Sequence, residues 1–196
     1  MRAVVIKLGG SLAAAGTLRS WLDILGSNGG GRGIVVPGGA EFADAVRVAQ
    51  RRHAFSDRAA HRMALLAMEQ YAAMLADMAP ELRPAESEPE IEARLAAGAL
   101  ALWLPRRMVF ADTTIAESWA VTSDSLAAWL AGHLAAERLV LVKSATAPAP
   151  TPSAAELAAL GLVDPAFPAY AERAACTLVY CGPGEERRLA QALQLG

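Results

Sequence analysis

The chain has 196 residues, of which 54% are hydrophobic, and a net charge of -2 from 18 Lys+Arg against 20 Asp+Glu. That is ample for the core of one domain over 1–196. It lacks the basic footprint of a nucleic-acid binder, a run near the ~20 apolar residues of a membrane span, and the pattern of a signal peptide, so a cytoplasmic protein is expected.

Ala3–Ile6 is a short continuous apolar run and predicts a strand buried on both faces. Gly9, Gly10 and Ser11 follow at once. Leu18, Trp21, Leu22 and Leu25 fall on one face of a helix over 17–25. Beyond the loop S-N-G-G-G-R-G, Gly33–Val36 predicts a second buried strand, ending in Pro37-Gly38-Gly39. Residues 42–52 have helical spacing. Ser56 is a fitting N-cap for a long helix over Asp57–Met78. The acidic, proline-bearing stretch 80–90 predicts a surface connection into a short helix near 91–97. Leu100–Leu104 and Trp119–Val121 predict strands. Thr122, Ser123 and Asp124 cap a helix running to about Ala135. Leu139–Val142 predicts a strand ending at Lys143. The run A-T-A-P-A-P-T-P-S is an extended loop, and Ser153 caps a short helix that stops at Gly161. Cys176–Tyr180 predicts a last strand and 185–195 a terminal helix. Cys176 and Cys181 lie five apart on a strand, on opposite faces, and are read as unpaired.

Strands and helices thus alternate from end to end. That predicts the α/β class: a three-layer α/β/α sandwich on a mainly parallel sheet. Ligands of such sheets sit at the carboxyl ends of strands. Four segments fall there: Lys7–Ser11, Pro37–Ala40, Thr122–Asp124 and Lys143–Ser144.

Lys7 and Lys143 are the only lysines, against sixteen arginines. A chain that uses arginine wherever a generic cation suffices places each lysine at the end of an apolar run. Lysine is a compact, mobile point charge and arginine a rigid planar fork, so a group that follows a moving phosphate favours lysine. Paired glycines let backbone amides approach an anion, as does a helix N-terminus after Gly38 and Gly39. The Walker A order is absent, since here the lysine precedes the glycines. His53, His61 and His133 have no ligand-like spacing. His61, inside the long helix, is expected to pack against a neighbour or a partner subunit rather than to act in catalysis. No metal-ligand set stands out.

The ordered set V-V-I-K-L-G-G-S-L, I-V-V-P-G-G-A-E-F-A-D-A-V-R and V-T-S-D-S-L-A-A-W-L-A-G-H-L-A-A-E-R-L-V-L-V resembles the amino acid kinase superfamily. S-D-R-A-A-H-R-M-A-L-L-A-M-E-Q-Y and G-L-V-D-P-A-F look like its branch that phosphorylates an aminomethylfuran phosphate for methanofuran-type cofactors. The resemblance implies a magnesium- and ATP-dependent kinase of a small phosphate monoester, associating as a homodimer or an assembly of dimers. It implies that Lys7 contacts the transferred phosphoryl group and that Asp124 orients the phosphate-binding lysines. Gly9, Gly10, Ser11, Ser123, Lys143 and Ser144 would then face the nucleotide, and Gly38, Gly39, Ala40 and Thr122 the acceptor, with an acceptor side near 1–110 and a nucleotide side near 115–196. The chain departs from many relatives in two places. Lys143-Ser144-Ala145-Thr146-Ala147 stands where they carry an acidic motif of the type T-D-V-D-G, and no lysine follows Lys143. Lys143 is therefore expected to serve the donor phosphates in place of that later lysine. Isopentenyl phosphate kinases typically have a histidine after the second glycine pair; Ala40-Glu41-Phe42 has none. A uridylate or other small-acceptor kinase, or a non-catalytic nucleotide- or oxyanion-binding member, are the alternatives.

Overall fold

The computed structural model describes residues 3–149 and 152–194. In chain order its elements are β1 (Val4–Leu8), α1 (Leu18–Asn28), β2 (Gly33–Pro37), α2 (Ala40–His53) and α3 (Asp57–Met78), then β3 (Leu82–Ala85), α4 (Glu88–Ala96), β4 (Leu100–Trp103), α5 (Arg106–Ala111) and α6 (Ser123–His133), then β5 (Arg138–Val142), α7 (Ala154–Ala159), α8 (Phe167–Ala174), β6 (Thr177–Cys181) and α9 (Glu186–Gln194). The six strands form one sheet in the order β3-β4-β2-β1-β5-β6, with every neighbouring pair parallel. Helices cover both faces, as the alternation of elements requires.

Strand parity decides where the site can be. Val5 joins the apolar cluster shared with α6 and α8, while Val4, Ile6 and Leu8 join the cluster shared with α1 and α9. Lys7 therefore stands on the α6 side of β1. In β5, Leu139 and Leu141 face α6, and Val140 and Val142 the other layer. Lys143, two residues past Leu141, continues on the α6 side. Leu8 pairs with both Pro37 and Val142, so β2, β1 and β5 end flush and their following loops share one edge. α6 approaches this central trio closely because it is rich in small residues. Ala127, Ala128 and Ala131 are buried, and a side chain at Gly132 would come within 3.1 Å of the Ala174 Cα on α8.

β1, β2, β4, β5 and β6 occupy the apolar runs that predict them. α3 has the expected bounds, with the Ser56 hydroxyl accepting from the Ala59 amide at 3.3 Å. Ser153 and Glu156 form a reciprocal capping box at α7. The structure differs from the sequence expectation elsewhere. Residues 82–85, read as part of a connection, are the edge strand β3, and Trp119–Val121 is not a strand. α5 and α8 were not expected, and α6 ends at His133 rather than near Ala135. Cys176 and Cys181 are free. Pro150 and Thr151 of the proline-bearing loop, and Leu195 of the predicted last helix, lie outside the described residues.

Candidate active site

The two lysines converge on one carboxylate. Lys7 Nζ lies 2.9 Å from Asp124 Oδ1. Lys143 Nζ lies 2.8 Å from the same oxygen and donates to Oδ2 at 2.8 Å. Lys7 and Asp124 are only 4% and 5% exposed, so the cluster is nearly dry. Burial alone would raise the Asp124 pKa, but the two ammonium groups beside it outweigh that and hold it below the usual carboxylate range. Lys143 is pushed down to about 8, first by burial and then by the Lys7 charge, with Asp124 opposing. Two cations against one anion leave the cluster one positive charge in excess. Burying that charge is costly unless an anion arrives to match it.

The loops around the cluster are built for close approach. A side chain at Gly10 would collide with the Ala40 backbone nitrogen at 2.4 Å, and one at Gly38 with the Gly10 nitrogen at 2.4 Å. Glycine is required at both, because the loop after β1 and the start of α2 touch backbone to backbone. Ala40 itself has φ of 45°, a left-handed conformation that costs a non-glycine residue roughly 1–2 kcal/mol. Such strain collects at ligand sites. The Gly9 amide donates to the Val142 carbonyl at 2.9 Å, and the Ser11 and Ser144 hydroxyls are 2.7 Å apart, tying the loop after β1 to the loop after β5.

Thr122 caps α6 by position, yet its side chain makes no capping bond to the helix. That task falls to Asp164, forty residues further on. It accepts from the Thr122 amide at 2.9 Å, the Thr122 hydroxyl at 2.8 Å, the Ser125 amide at 3.0 Å and the Ser125 hydroxyl. A carboxylate at a helix N-terminus also meets the positive end of the helix dipole. Asp164 thereby fixes the turn that presents Asp124. Its only signal in the sequence was the run G-L-V-D-P-A-F.

A cavity of about 400 Å³ opens beside the cluster, between the loop after β1 and the starts of α2 and α6, with α3 as its back wall. Gly10, Ser11, Gly39, Ala40, Thr122 and Ser123 line it, together with Glu41, Asp44, Arg47, His61, Leu65, Met68 and Trp119. Arg47 lies 3.8 Å over the Trp119 ring, whose indole N–H donates to Gln50 at 2.6 Å. The structure thus brings Lys7, Lys143 and Asp124 into contact, and places Gly10, Ser11, Gly39, Ala40, Thr122 and Ser123 on one cavity. Gly9 and Ser144 lie at the lysine end, and Gly38 backs the glycine turn. Sequence reasoning missed Asp164, Arg47, Trp119 and Glu41. His61, expected to pack against a neighbour or a partner subunit, is part of the cavity wall.

The amino acid kinase family model matches residues 2–146. The [5-(aminomethyl)furan-3-yl]methyl phosphate kinase of Methanocaldococcus jannaschii is 26% identical over 139 residues, 70% of this chain and 63% of that protein. The chain therefore spans less than two thirds of the length of that curated relative. Among solved structures, uridylate kinase from Archaeoglobus fulgidus superposes with a TM-score of 0.69 at 16% identity, covering 97% of this chain and 95% of that one. UMP kinase from Bacillus anthracis gives 0.65 at 14% identity, covering 97% and 92%. At these identities the structural likeness speaks for the fold.

Proposed function

We propose that this chain, which belongs to the amino acid kinase family, transfers the γ-phosphoryl group of ATP to a small phosphate monoester, giving a diphosphate. The observation that carries the reading is the pair of lysines on one buried aspartate, in excess of positive charge, next to two glycine turns and a cavity. Phosphoryl transfer asks chiefly for positioning and for neutralisation of charge on the transferred oxygens. Lys7, from the centre of the sheet, meets the moving phosphoryl group. Lys143 holds the donor phosphates, and Asp124 keeps both ammonium groups in place while they do so. The backbone amides around Gly10 and at the start of α2 receive phosphate oxygens. A phosphate acceptor is already ionised at neutral pH, so the transfer needs no general base.

The acceptor we favour is [5-(aminomethyl)furan-3-yl]methyl phosphate, supported by the M. jannaschii relative, in the biosynthesis of a methanofuran-type cofactor. The side chains here do not fit a protein-held Mg²⁺. Both Asp124 oxygens are engaged by lysines and both Asp164 oxygens by the start of α6. Mg²⁺ would enter on the nucleotide phosphates, and no residue is assigned to hold it. Among the described residues no helix is long and apolar enough to cross a membrane. A cytoplasmic enzyme associating as a homodimer or an assembly of dimers is the reading we adopt.

A coupled ADP-release assay with the furan phosphate, UMP, isopentenyl phosphate and carboxylate acceptors tests it. The expected result is acceptor-dependent ADP release with the furan phosphate. Nucleotide binding without ADP release for any acceptor would instead make the chain a non-catalytic binder.

A further inference from the structure

His61 sits on α3 and is 4% exposed, yet the transfer chemistry above has no use for it. A buried imidazole normally has partners at both nitrogens, because an orphaned polar atom is costly. The His61 ring bonds to the Ser118 backbone carbonyl. Its Nε2 has no hydrogen-bond partner among the described residues. Burial pushes the ring pKa below its usual value and Arg62 adds to this, against the Ser118 bond and the Glu117 charge. A neutral ring whose N–H is committed to Ser118 presents a bare lone pair at Nε2.

His61 lines the cavity together with Glu41 and Asp44, and Leu65, Met68 and Trp119 give that cavity apolar walls. It also borders a second cleft, where Arg58 and Arg62 already pair with Glu117. Arg47 lines the same cavity and pairs with Asp44 at 3.8 Å, which leaves Glu41 as the carboxylate there without an ion pair among the described residues. An imidazole with an unmatched acceptor atom and a carboxylate in excess on one cavity fit a hydrogen-bond donor that is also a cation. We propose that His61 determines acceptor specificity: its Nε2 accepts a hydrogen bond from a protonated primary amine carried by the acceptor, with Glu41 supplying the countercharge. The assignment rests on the kinase reading and on the amine-bearing acceptor favoured above, and deepens both by naming the residue that selects the amine.

The experiment compares [5-(aminomethyl)furan-3-yl]methyl phosphate with its analogue carrying methyl in place of aminomethyl. Both are titrated calorimetrically into the full chain and assayed for ADP release, with the parent, His61→Phe and His61→Gln. The parent should bind the amine at least about tenfold more tightly than the methyl analogue. His61→Phe should remove most of that preference by raising the KM for the amine, with the KM for ATP unchanged. His61→Gln, whose side-chain oxygen can accept a hydrogen bond near the Nε2 position, should restore part of it. The parent's preference needs no variant, so a misfolded His61→Phe does not remove the test. Equal affinity of the parent for both compounds, or loss of affinity for both alike in folded His61→Phe, overturns the assignment. So does failure of the parent to bind the amine at all. Amine-selective binding that depends on His61 but yields no ADP release supports the assignment and overturns the kinase reading alone.

Discussion

At the residue scale, the two lysines have different neighbours and should fail differently. Lys7 is enclosed between β1 and α6, where a guanidinium has neither the room nor the mobility of an ammonium. Lys7→Arg should fold and lose turnover by about 10²-fold or more, with a smaller effect on nucleotide binding. Steady-state kinetics on the purified variant checks this, and near-parental turnover refutes the role. Lys143→Ala should weaken ATP binding while leaving acceptor affinity nearly unchanged. Lys143 also links the site to pH. In the folded chain it releases its proton at about 8, against 10.5 for an ordinary lysine. Between those values the unfolded chain holds more protons, so this group makes stability rise with pH across that window. Bound phosphates favour the ammonium and draw the proton back. ATP binding at pH 9 should therefore take up protons, and at pH 7 this group should contribute none. Calorimetry in buffers of differing ionisation enthalpy reads the uptake, which Lys143→Met should lack.

At the element scale, α6 is the part that makes two strand-end lysines into a site, and Asp164 sets its first turn. Asp164→Ala would leave two amides and two hydroxyls at the buried start of α6 without their acceptor. We expect a loss of about 2–4 kcal/mol in urea unfolding, and a fall in turnover as Asp124 shifts, with Asp164→Asn milder in both. An Asp164→Ala variant with parental stability would show that α6 holds its start by packing alone. This dependence could not be read locally, because Asp164 is about forty residues from the helix it caps. The strands were legible for the opposite reason: a parallel strand buried on both faces is a short unbroken apolar run, as in V-V-I or L-V-L-V. β3 escaped because an edge strand tolerates Pro84 and an exposed Arg83, so L-R-P-A has no such run. Trp119–Val121 was expected as a strand, but the structure holds Trp119 in a loop by the Gln50 bond and the Arg47 contact. The lysine cluster was legible from the rarity of lysine together with the place of both lysines at or near the carboxyl ends of apolar strands. The cavity wall was not, since Arg47, His61 and Trp119 come from three segments whose meeting depends on how α2 packs on α3.

At the scale of the whole molecule, the same α2–α3 pair carries three of the five large apolar side chains exposed among the described residues, Leu160 being the one far from it in the chain. Leu65, Met68 and Tyr71 of α3 are consumed by the chain's own core. Met63 and Leu66 remain 39% and 46% exposed, with Val48 of α2 and Phe110 of α5 also exposed. A 22-residue helix with one face in the core and large apolar side chains still in water gains by pairing with a second copy. We expect a symmetric dimer with α3 at its centre, and a monomeric mass by light scattering at micromolar concentration would contradict it. Leu66→Glu should shift the mass toward monomer, since a carboxylate buried in such an interface lacks a partner. The consequence reaches the chemistry unevenly. α2 and α3 supply the cavity wall with Glu41, Asp44, Arg47 and His61, whereas Lys143 and its loop stand on the other side of β1. Separating the protomers should therefore loosen the acceptor side first, so the Leu66→Glu monomer should show a raised acceptor KM with a nearly unchanged KM for ATP. Equal rises in both constants would mean that the interface supports the whole fold rather than the acceptor wall.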